Sequence, residues 1–169
     1  NELVSLEKLL QKTASASHQL VVTEGVFSMD GDSPDLPAML RLCQQHQAAL
    51  LLDDAHGLGV LGPEGRGTAA AQGVANSKLF CTMANFGKAL GASGAFLAAN
   101  STVIEYLEQF AKHYIYSTAM PPAMAVATLA SVVSMQQGSQ RQTLHANIAL
   151  FKTLCTQRGI SLMPSISPI

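Results

Sequence analysis

The sequence predicts an α/β fold, in which a mostly parallel sheet carries helices on both faces. The main observation is the stretch from Ala48 to Gly62, AALLLDDAHGLGVLG, where an apolar run stops at two aspartates, a histidine and several glycines. Such a run, bounded by turn signals, is typical of a central strand that is covered on both faces. A second observation is that 48% of the 169 residues are hydrophobic and only 12% are charged, as in a well-buried globular protein. The third is the alternation of short apolar runs with segments of helical spacing.

The first part of the chain predicts one βαβ unit behind a leading helix. Leucines recur at helical spacing in Glu2 to Ala14, and Leu20 to Thr23 is a short β-branched strand. A turn cluster from Met29 to Pro34 precedes a second amphipathic helix over residues 36–43. The run Ala49 to Leu52 is the next strand. We expect the crossover between the two strands to be right-handed.

The middle of the chain predicts a loop, two strands and a helix. Gly57 to Gly73 is a glycine-rich crossing that has neither a P-loop nor a dinucleotide-binding fingerprint. We expect a strand over Lys78 to Met83 and an antiparallel partner over Gly94 to Ala99, since mixed sheets commonly contain one such strand. Ser101 is the predicted N-cap of a helix from Thr102 to Ala111.

The last part of the chain predicts two long helices and a domain boundary. The helix from Pro121 to Met135 is almost uncharged, and because it is apolar all round we expect it to be buried, at a subunit interface. A more polar helix follows from Ser139 to Arg158, and Ile160 to Met163 is the expected first strand of another domain. We therefore divide the chain into a portion of a large domain, residues 1–137, and the beginning of a small carboxyl-terminal domain, residues 138–169.

The charge balance and the cysteines narrow the class of protein. A net charge of −1 favours neither a nucleic-acid partner nor a membrane surface. No apolar run approaches the roughly 18 residues that a membrane span needs. Cys43, Cys81 and Cys155 are far apart and lack metal-ligand spacing, so we expect reduced thiols, no bound metal and a cytoplasmic protein.

The polar residues after the apolar run predict a site at the carboxyl edge of the sheet, where open α/β sheets bind ligands. If the chain stays extended past Leu52, Asp54 and His56 share one face and Asp53 points to the other. That parity nominates Asp54 and His56 as a working pair. Two alternatives stay open here, because a strand-end aspartate often only caps the next segment, and two carboxylates with an imidazole can also bind a divalent metal.

Lys88 supplies a second signal. It lies among small and apolar residues in ANFGKALGASGAF, directly after the apolar run Leu79 to Ala84. Lysine is rarely buried without a partner, and a desolvated lysine can form a Schiff base with a carbonyl. A pyridoxal phosphate enzyme needs such a lysine and also a carboxylate for the pyridine nitrogen. Asp54 and Lys88 together meet this requirement, whereas GKALG alone would be an ordinary surface loop.

Four ordered motifs carry a resemblance to a known family. They are TEGVFSMDGD at residues 23–32, DDAHGLGVLGPEGRG at 53–67, FGKALGASGA at 86–95 and YSTAMPP at 116–122. Together they resemble the α-oxoamine synthases, which are fold-type-I pyridoxal phosphate enzymes that condense an amino acid with an acyl thioester. The resemblance covers essentially the whole chain, and it implies that residues 1–137 belong to the cofactor-binding large domain.

The resemblance implies a role for each candidate residue. Lys88 would hold pyridoxal phosphate and later act as the general base, and Asp54 would keep the ring nitrogen protonated. His56 would hydrogen-bond the phenolic oxygen of the ring, and Ser28 would lie near that oxygen.

Two further positions concern the phosphate of the cofactor. Related enzymes usually have threonine or serine three residues before the lysine, where this chain has Asn85. The amide of Asn85 can still donate a hydrogen bond, with Thr82 nearby as a substitute. In the family, the residue at Thr118 reaches the phosphate of the neighbouring subunit, which implies a homodimer.

The motifs DDAHG, GVLG and GRG are most similar to those of the family members that act in biotin synthesis. These members use L-alanine and a pimeloyl thioester, carried on coenzyme A or a carrier protein. Family subunits are more than twice as long as this chain, so we expect a fragment that is inactive alone. Relatives that use another amino acid and acyl donor, such as 2-amino-3-ketobutyrate ligase and 5-aminolevulinate synthase, are one alternative. A non-catalytic scaffold and a metal hydrolase built on Asp53, Asp54 and His56 are others.

Overall fold

The computed structural model describes residues 2–169, and its strands form one four-stranded sheet. The strands are β1 (Leu20–Glu24), β2 (Ala49–Asp53), β3 (Cys81–Asn85) and β4 (Ala95–Ala99). Their spatial order is the same as their order in the chain; β1, β2 and β3 run parallel, and β4 pairs antiparallel with β3. The predicted mostly parallel sheet and its antiparallel fourth strand are confirmed.

Seven helices accompany the sheet over residues 2–169. They are α1 (Leu3–Lys12), α2 (Leu36–Gln45), α3 (Thr68–Ala71), α4 (Ser101–Phe110), α5 (Lys112–Ile115), α6 (Pro122–Gln137) and α7 (Ser139–Gln157), with short 3₁₀ turns at Pro63–Gly65 and Asn76–Lys78. None of the helices in the described part of the chain combines the length and the hydropathy needed to cross a membrane.

The core lies on the face of the sheet that α2 covers. Leu50 and Leu52 of β2 are almost fully buried there, against Leu36, Met39 and Cys43 of α2. The helix begins where the side chain of its N-cap, Asp35, accepts a hydrogen bond of 2.9 Å from the Ala38 amide. Apolar residues at helical spacing then turn one side of α2 to the sheet.

The opposite face of the sheet is open at β1. Side chains alternate along a strand, and the β1 residues on this face, Leu20 and Val22, are 54% and 63% exposed. The last residue of β2, Asp53, pairs in register with Glu24 of β1 and Met83 of β3, so it belongs to the same, less covered face.

All three cysteines are buried and unpaired. Burial raises the pKa of the Cys43 and Cys81 thiols. Because the thiolate is the reactive form, these cysteines act as small apolar core residues.

Two predicted boundaries are corrected. The N-cap of α4 is Asn100, whose side chain accepts a hydrogen bond of 3.0 Å from the Val103 amide, and Ser101 is the first helical residue. The third strand begins at Cys81 rather than at Lys78, because a 3₁₀ turn occupies the residues before it.

The structure also differs from the sequence prediction in the last part of the chain. Within this chain Val126 and Leu129 of α6 are 67% and 65% exposed and Thr128 is buried, so the expected burial of this helix at a subunit interface stays a prediction. The prediction of a strand over Ile160 to Met163 is wrong, because this segment has no paired neighbour. The division at Gly138 stays a prediction; the residue is a left-handed turn between α6 and α7.

Candidate functional site

The predicted site residues of β2 and β3 are at one edge of the sheet. Asp53 ends β2 and Asn85 ends β3, and the two strands are parallel. Backbone hydrogen bonds connect the neighbouring strand ends. The Gly25 amide, just after β1, donates to the Asp53 carbonyl of β2 at 2.7 Å, and the Asp54 amide, just after β2, donates to the Met83 carbonyl of β3 at 2.8 Å. This is the edge at which open α/β sheets bind their ligands.

The carboxylate of Asp54 is enclosed, and each of its two oxygens accepts a hydrogen bond from the same residue, Thr68. Asp54 is 3% exposed and Thr68 is completely buried. One carboxylate oxygen accepts a hydrogen bond of 2.7 Å from the Thr68 amide, and the other accepts one of 2.6 Å from the Thr68 hydroxyl. The geometry thus agrees with the capping interpretation of this aspartate.

Burial and hydrogen bonding shift the pKa of Asp54 in opposite directions. Desolvation raises the pKa of Asp54 above its ordinary value, and the two hydrogen bonds from Thr68 oppose that rise. The neighbouring charge of Asp53 raises the pKa further.

Asp53 presents a more accessible carboxylate than Asp54. It is half-buried at the end of β2, and its Oδ1 accepts a hydrogen bond of 3.0 Å from the Ala55 amide. This bond fixes the side chain at the edge of the sheet without enclosing it.

The chain does not stay extended past β2, so the parity between Asp54 and His56 is wrong. The amides of Gly57 and Leu58 both donate to the Asp54 carbonyl, at 3.1 and 2.9 Å, which closes a tight turn. Side chains alternate only along an extended strand. His56 lies half-buried in this turn, and its position is set by the turn and not by strand alternation.

Lys88 lies in an exposed loop whose start is held by Asn85. The side-chain oxygen of Asn85 accepts hydrogen bonds from the amides of Gly87 and Lys88, at 3.1 and 3.2 Å. The loop closes through a further bond from the Gly91 amide to the Lys88 carbonyl, at 3.0 Å. In this arrangement Asn85 uses its oxygen on the protein backbone, while its amide nitrogen remains a possible donor to a ligand.

Ser28 is exposed in the turn that follows β1. The Gly31 amide donates to the Phe27 carbonyl at 2.9 Å and closes this turn. The carboxyl-terminal segment contacts the same turn, because the buried Ser165 hydroxyl donates to the Gly31 carbonyl at 3.0 Å.

Thr118 lines a broad groove of about 1090 Å³. The groove runs between the start of β4 and the segment that leads into α6, with Ser93, Gly94 and Met120 among its walls. Within this chain Thr118 is exposed.

The similarity to known proteins covers the whole chain. The family model for aminotransferase class I and II matches residues 1–169. The chain belongs to this family. A curated member of similar sequence, the 8-amino-7-oxononanoate synthase of Marinobacter nauticus, is 45% identical over 169 residues, which is 99% of this chain and 42% of the relative. The chain thus spans less than half of the length of that relative.

Solved structures show the same architecture. The 8-amino-7-oxononanoate synthase from Francisella tularensis is 30% identical, with a TM-score of 0.78 over 96% of this chain and 48% of that protein. A serine palmitoyltransferase variant from S. paucimobilis, solved with a bound PLP–myriocin aldimine, is 27% identical, with a TM-score of 0.91 over 98% of this chain and 43% of that protein. These similarities confirm the predicted fold class, that of the fold-type-I enzymes.

The sequence interpretation missed Thr68 and the glycines around Asp54 in this aminotransferase-family chain. An added Cβ at Gly25, Gly57 or Gly67 would approach an Asp54 carboxylate oxygen more closely than 3.0 Å. A signal was available, since GRGT combines a loop glycine with a threonine at the start of a helix. No periodicity, however, relates Thr68 to an aspartate 14 residues earlier. Over residues 2–169, no three metal-binding side chains of His, Cys, Asp or Glu are grouped together.

Proposed function

We propose that this chain forms part of an 8-amino-7-oxononanoate synthase, a pyridoxal phosphate-dependent acyltransferase of biotin synthesis. The reaction would join L-alanine to a pimeloyl thioester, on coenzyme A or a carrier protein, and release the thiol and carbon dioxide. One observation carries this proposal: an exposed Lys88 follows β3 at the sheet edge where Asp53 ends β2, in a chain 45% identical to such a synthase.

The donor set at this edge fits pyridoxal phosphate. An exposed primary amine, a half-buried carboxylate and a half-buried imidazole are present in Lys88, Asp53 and His56. These groups suit an aldehyde, a pyridine nitrogen and a phenolic oxygen, respectively. When bound, the cofactor supplies an electron sink for the carbanion formed at the amino-acid α-carbon.

The enclosure of Asp54 favours Asp53 as the carboxylate that meets the pyridine nitrogen. The sequence assigned this role to Asp54, and that assignment stays a prediction. Both oxygens of Asp54 already accept hydrogen bonds from Thr68 in a site that is 3% exposed. A carboxylate that holds a pyridine nitrogen protonated needs an accessible oxygen, which the half-buried Asp53 offers more readily.

The remaining residues would orient the cofactor and move protons. His56 would hydrogen-bond the phenolic oxygen, with Ser28 near it. The side-chain amide of Asn85, or the hydroxyl of Thr82, would donate to the phosphate. After the substrate amine takes its place, the Nζ atom of Lys88 would accept the proton from the substrate α-carbon.

Assembly as a homodimer is part of the proposal. Thr118 is exposed on an open groove in this chain, as expected for a residue that completes a site in a second subunit. The exposed Val126 and Leu129 of α6 would then be covered by a partner. Sedimentation of the full-length enzyme is expected to give a dimer, and an active monomer would contradict this part. A cytoplasmic location, without nucleic-acid or membrane partners, remains a prediction from the sequence.

Borohydride reduction of the full-length protein with pyridoxal phosphate tests the chemistry. We expect mass mapping to place a pyridoxyl group on the peptide that contains Lys88. The variant Lys88→Ala should lose the label, while Lys78→Ala, which removes another exposed lysine, should keep it. A label on a different lysine, or none, would refute the proposal.

Another α-oxoamine synthase activity is the second candidate. The observation behind it is that the TM-score to a serine palmitoyltransferase, 0.91, is higher than the 0.78 to the Francisella tularensis synthase. Turnover of alanine, glycine and serine with pimeloyl and palmitoyl thioesters separates the two candidates. Preference for alanine with the pimeloyl donor is the expected result.

A further inference from the structure

We propose that Asp54 is a positioning residue, which ties the glycine loop, residues 57–67, to the carboxyl ends of β2 and β3 and so fixes Asp53 and His56. The inference rests on the proposed function, since it concerns the arrangement of those two residues toward pyridoxal phosphate. It gives Asp54 a role through its neighbours and not through contact with the cofactor.

The first step is the closure of the loop by Thr68. The amide and hydroxyl of Thr68 reach the two oxygens of Asp54 at 2.7 and 2.6 Å, across 14 residues of chain. Each of these hydrogen bonds is stronger when the carboxylate is ionised, and burial shields both from water. The start of α3 is therefore fixed to the end of β2.

Three glycines leave the space that the Asp54 carboxylate occupies. Gly25 follows β1, Gly57 follows β2, and Gly67 precedes α3, and a Cβ at any of them would lie within 3.0 Å of an Asp54 oxygen. Gly67 also has a φ of 92°, which by itself favours glycine. Gly25 and Gly57 have no such φ, so the nearby side chains, Asp54 among them, are what exclude a side chain there.

The backbone of Asp54 links this closure to Asp53 and His56. Asp54 lies between Asp53 and the turn that carries His56. Its amide donates to Met83 of β3, and its carbonyl accepts from Gly57 and Leu58 in that turn. A shift of the Asp54 side chain therefore moves the backbone on both sides of it, and a catalytic group displaced by about 1 Å loses much of its effect.

Variants of full-length holoenzyme test the proposal. Asp54→Asn keeps the shape but weakens the pairing with Thr68, and Thr68→Val removes the hydroxyl at nearly constant volume. Thr68→Ser keeps both donors and is the conservative variant. Thr143→Val is the matched control, because Thr143 is an exposed helix residue whose hydroxyl bonds only a backbone carbonyl.

We expect kcat of Asp54→Asn to fall on the order of tenfold, with a smaller fall in Thr68→Val and near-normal values in Thr68→Ser. In the cofactor-free protein, amide hydrogen exchange over residues 55–68 should accelerate in the first two variants and remain unchanged in Thr143→Val. The pH titration of the visible band of the bound cofactor should shift in the same two variants, because Asp53 and His56 have moved.

Three results would overturn the proposal. Normal kcat and exchange in both Asp54→Asn and Thr68→Val would mean that the closure positions nothing. A shifted visible band in Asp54→Asn with unchanged exchange would mean that Asp54 meets the cofactor directly. Accelerated exchange with an unchanged band and kcat would make Asp54 purely structural. Failure of the wild-type enzyme to label at Lys88 is a separate result, which refutes the proposed function instead.

Discussion

The segment around Asp54 and the segment around Lys88 both begin at the carboxyl edge of the sheet, yet one is closed and the other is open. Asp54 is buried, with both oxygens occupied by Thr68 and glycines on three sides. Lys88 is exposed, and only its backbone is held, by Asn85. A charged residue in a motif can therefore serve either the protein structure or a ligand, and burial and hydrogen bonding distinguish the two roles.

The largest effect should come from the open segment. Lys88→Ala is expected to lower turnover by the full-length enzyme by on the order of a thousandfold or more, because both the covalent attachment and the general base are removed. The free energy of unfolding should change by less than about 0.5 kcal/mol, since the side chain is exposed. Steady-state kinetics measures the fall in turnover, and urea unfolding measures the change in stability. Undiminished turnover would remove Lys88 from the mechanism.

The next effect should come from the closed segment. Gly57→Ala places a methyl group within 3.0 Å of Asp54 and Thr68 side-chain atoms, and we expect it to destabilise the protein by about 2 to 3 kcal/mol. Gly87→Ala is the matched control in the Lys88 loop, because the nearest atom to its added Cβ is 3.8 Å away. Urea unfolding of the full-length variants measures both. Equal stabilities of Gly57→Ala and Gly87→Ala would show that the segment around Asp54 accommodates a methyl group as well as the Lys88 loop does.

The buried carboxylate of Asp54 should also make the stability of the protein depend on pH. Burial raises the pKa of Asp54 above the ordinary value of 3.8, so the folded protein binds this proton more tightly than the unfolded chain. The stabilising contribution of Asp54 is then fully present below pH 3.8 and is lost as the pH rises through the raised pKa.

The difference in unfolding free energy between wild type and Asp54→Asn should therefore decrease as the pH rises from 3.8 through the raised pKa of Asp54. The decrease is about 1.4 kcal/mol for each pH unit that separates the pKa of Asp54 in the folded protein from its pKa in the unfolded chain. Urea unfolding at several pH values measures it. An increase over the same range would mean that the hydrogen bonds from Thr68 outweigh the desolvation.

The smallest effect concerns how the open loop is held. Asn85→Ala removes the acceptor for the Gly87 and Lys88 amides, and we expect a loss of about 1 kcal/mol in stability with a several-fold fall in turnover. Asn85→Asp keeps the acceptor oxygen and should retain the stability. A fall in turnover in both variants, without a stability change in Asn85→Asp, would point to the amide nitrogen and its proposed phosphate contact.

Much of the fold could be predicted because it depends on local patterns. The apolar run before Asp53 and the leucine spacing of α1 specify a buried strand and an amphipathic helix within a few residues each. The position of Lys88 in a loop after a strand also follows from its neighbours in the sequence.

The details of the candidate site could not be predicted, because they depend on contacts between residues that are far apart in the sequence. The partner of Asp54 is 14 residues away, and no local rule assigns it, so the sequence could not decide between a cap and a catalytic carboxylate. The parity of Asp54 and His56 failed because the turn begins one residue after the strand, and element boundaries are the least certain part of any pattern. The strand expected at Ile160 has no neighbour to pair with in this chain.

The space around the Asp54 carboxylate also bears on how this sequence can be varied. Gly25 follows β1, whereas Gly57 and Gly67 are the two ends of the glycine loop, and an added Cβ at each of the three would meet the same carboxylate. Their tolerance to substitution is therefore coupled, and a library that randomises one loop at a time will reject larger residues at each. A smaller residue in place of Asp54 would relieve only part of this crowding, because Thr68 also meets an added Cβ at Gly25 and Gly57. A design that enlarges either glycine should therefore vary Asp54 and Thr68 in the same library.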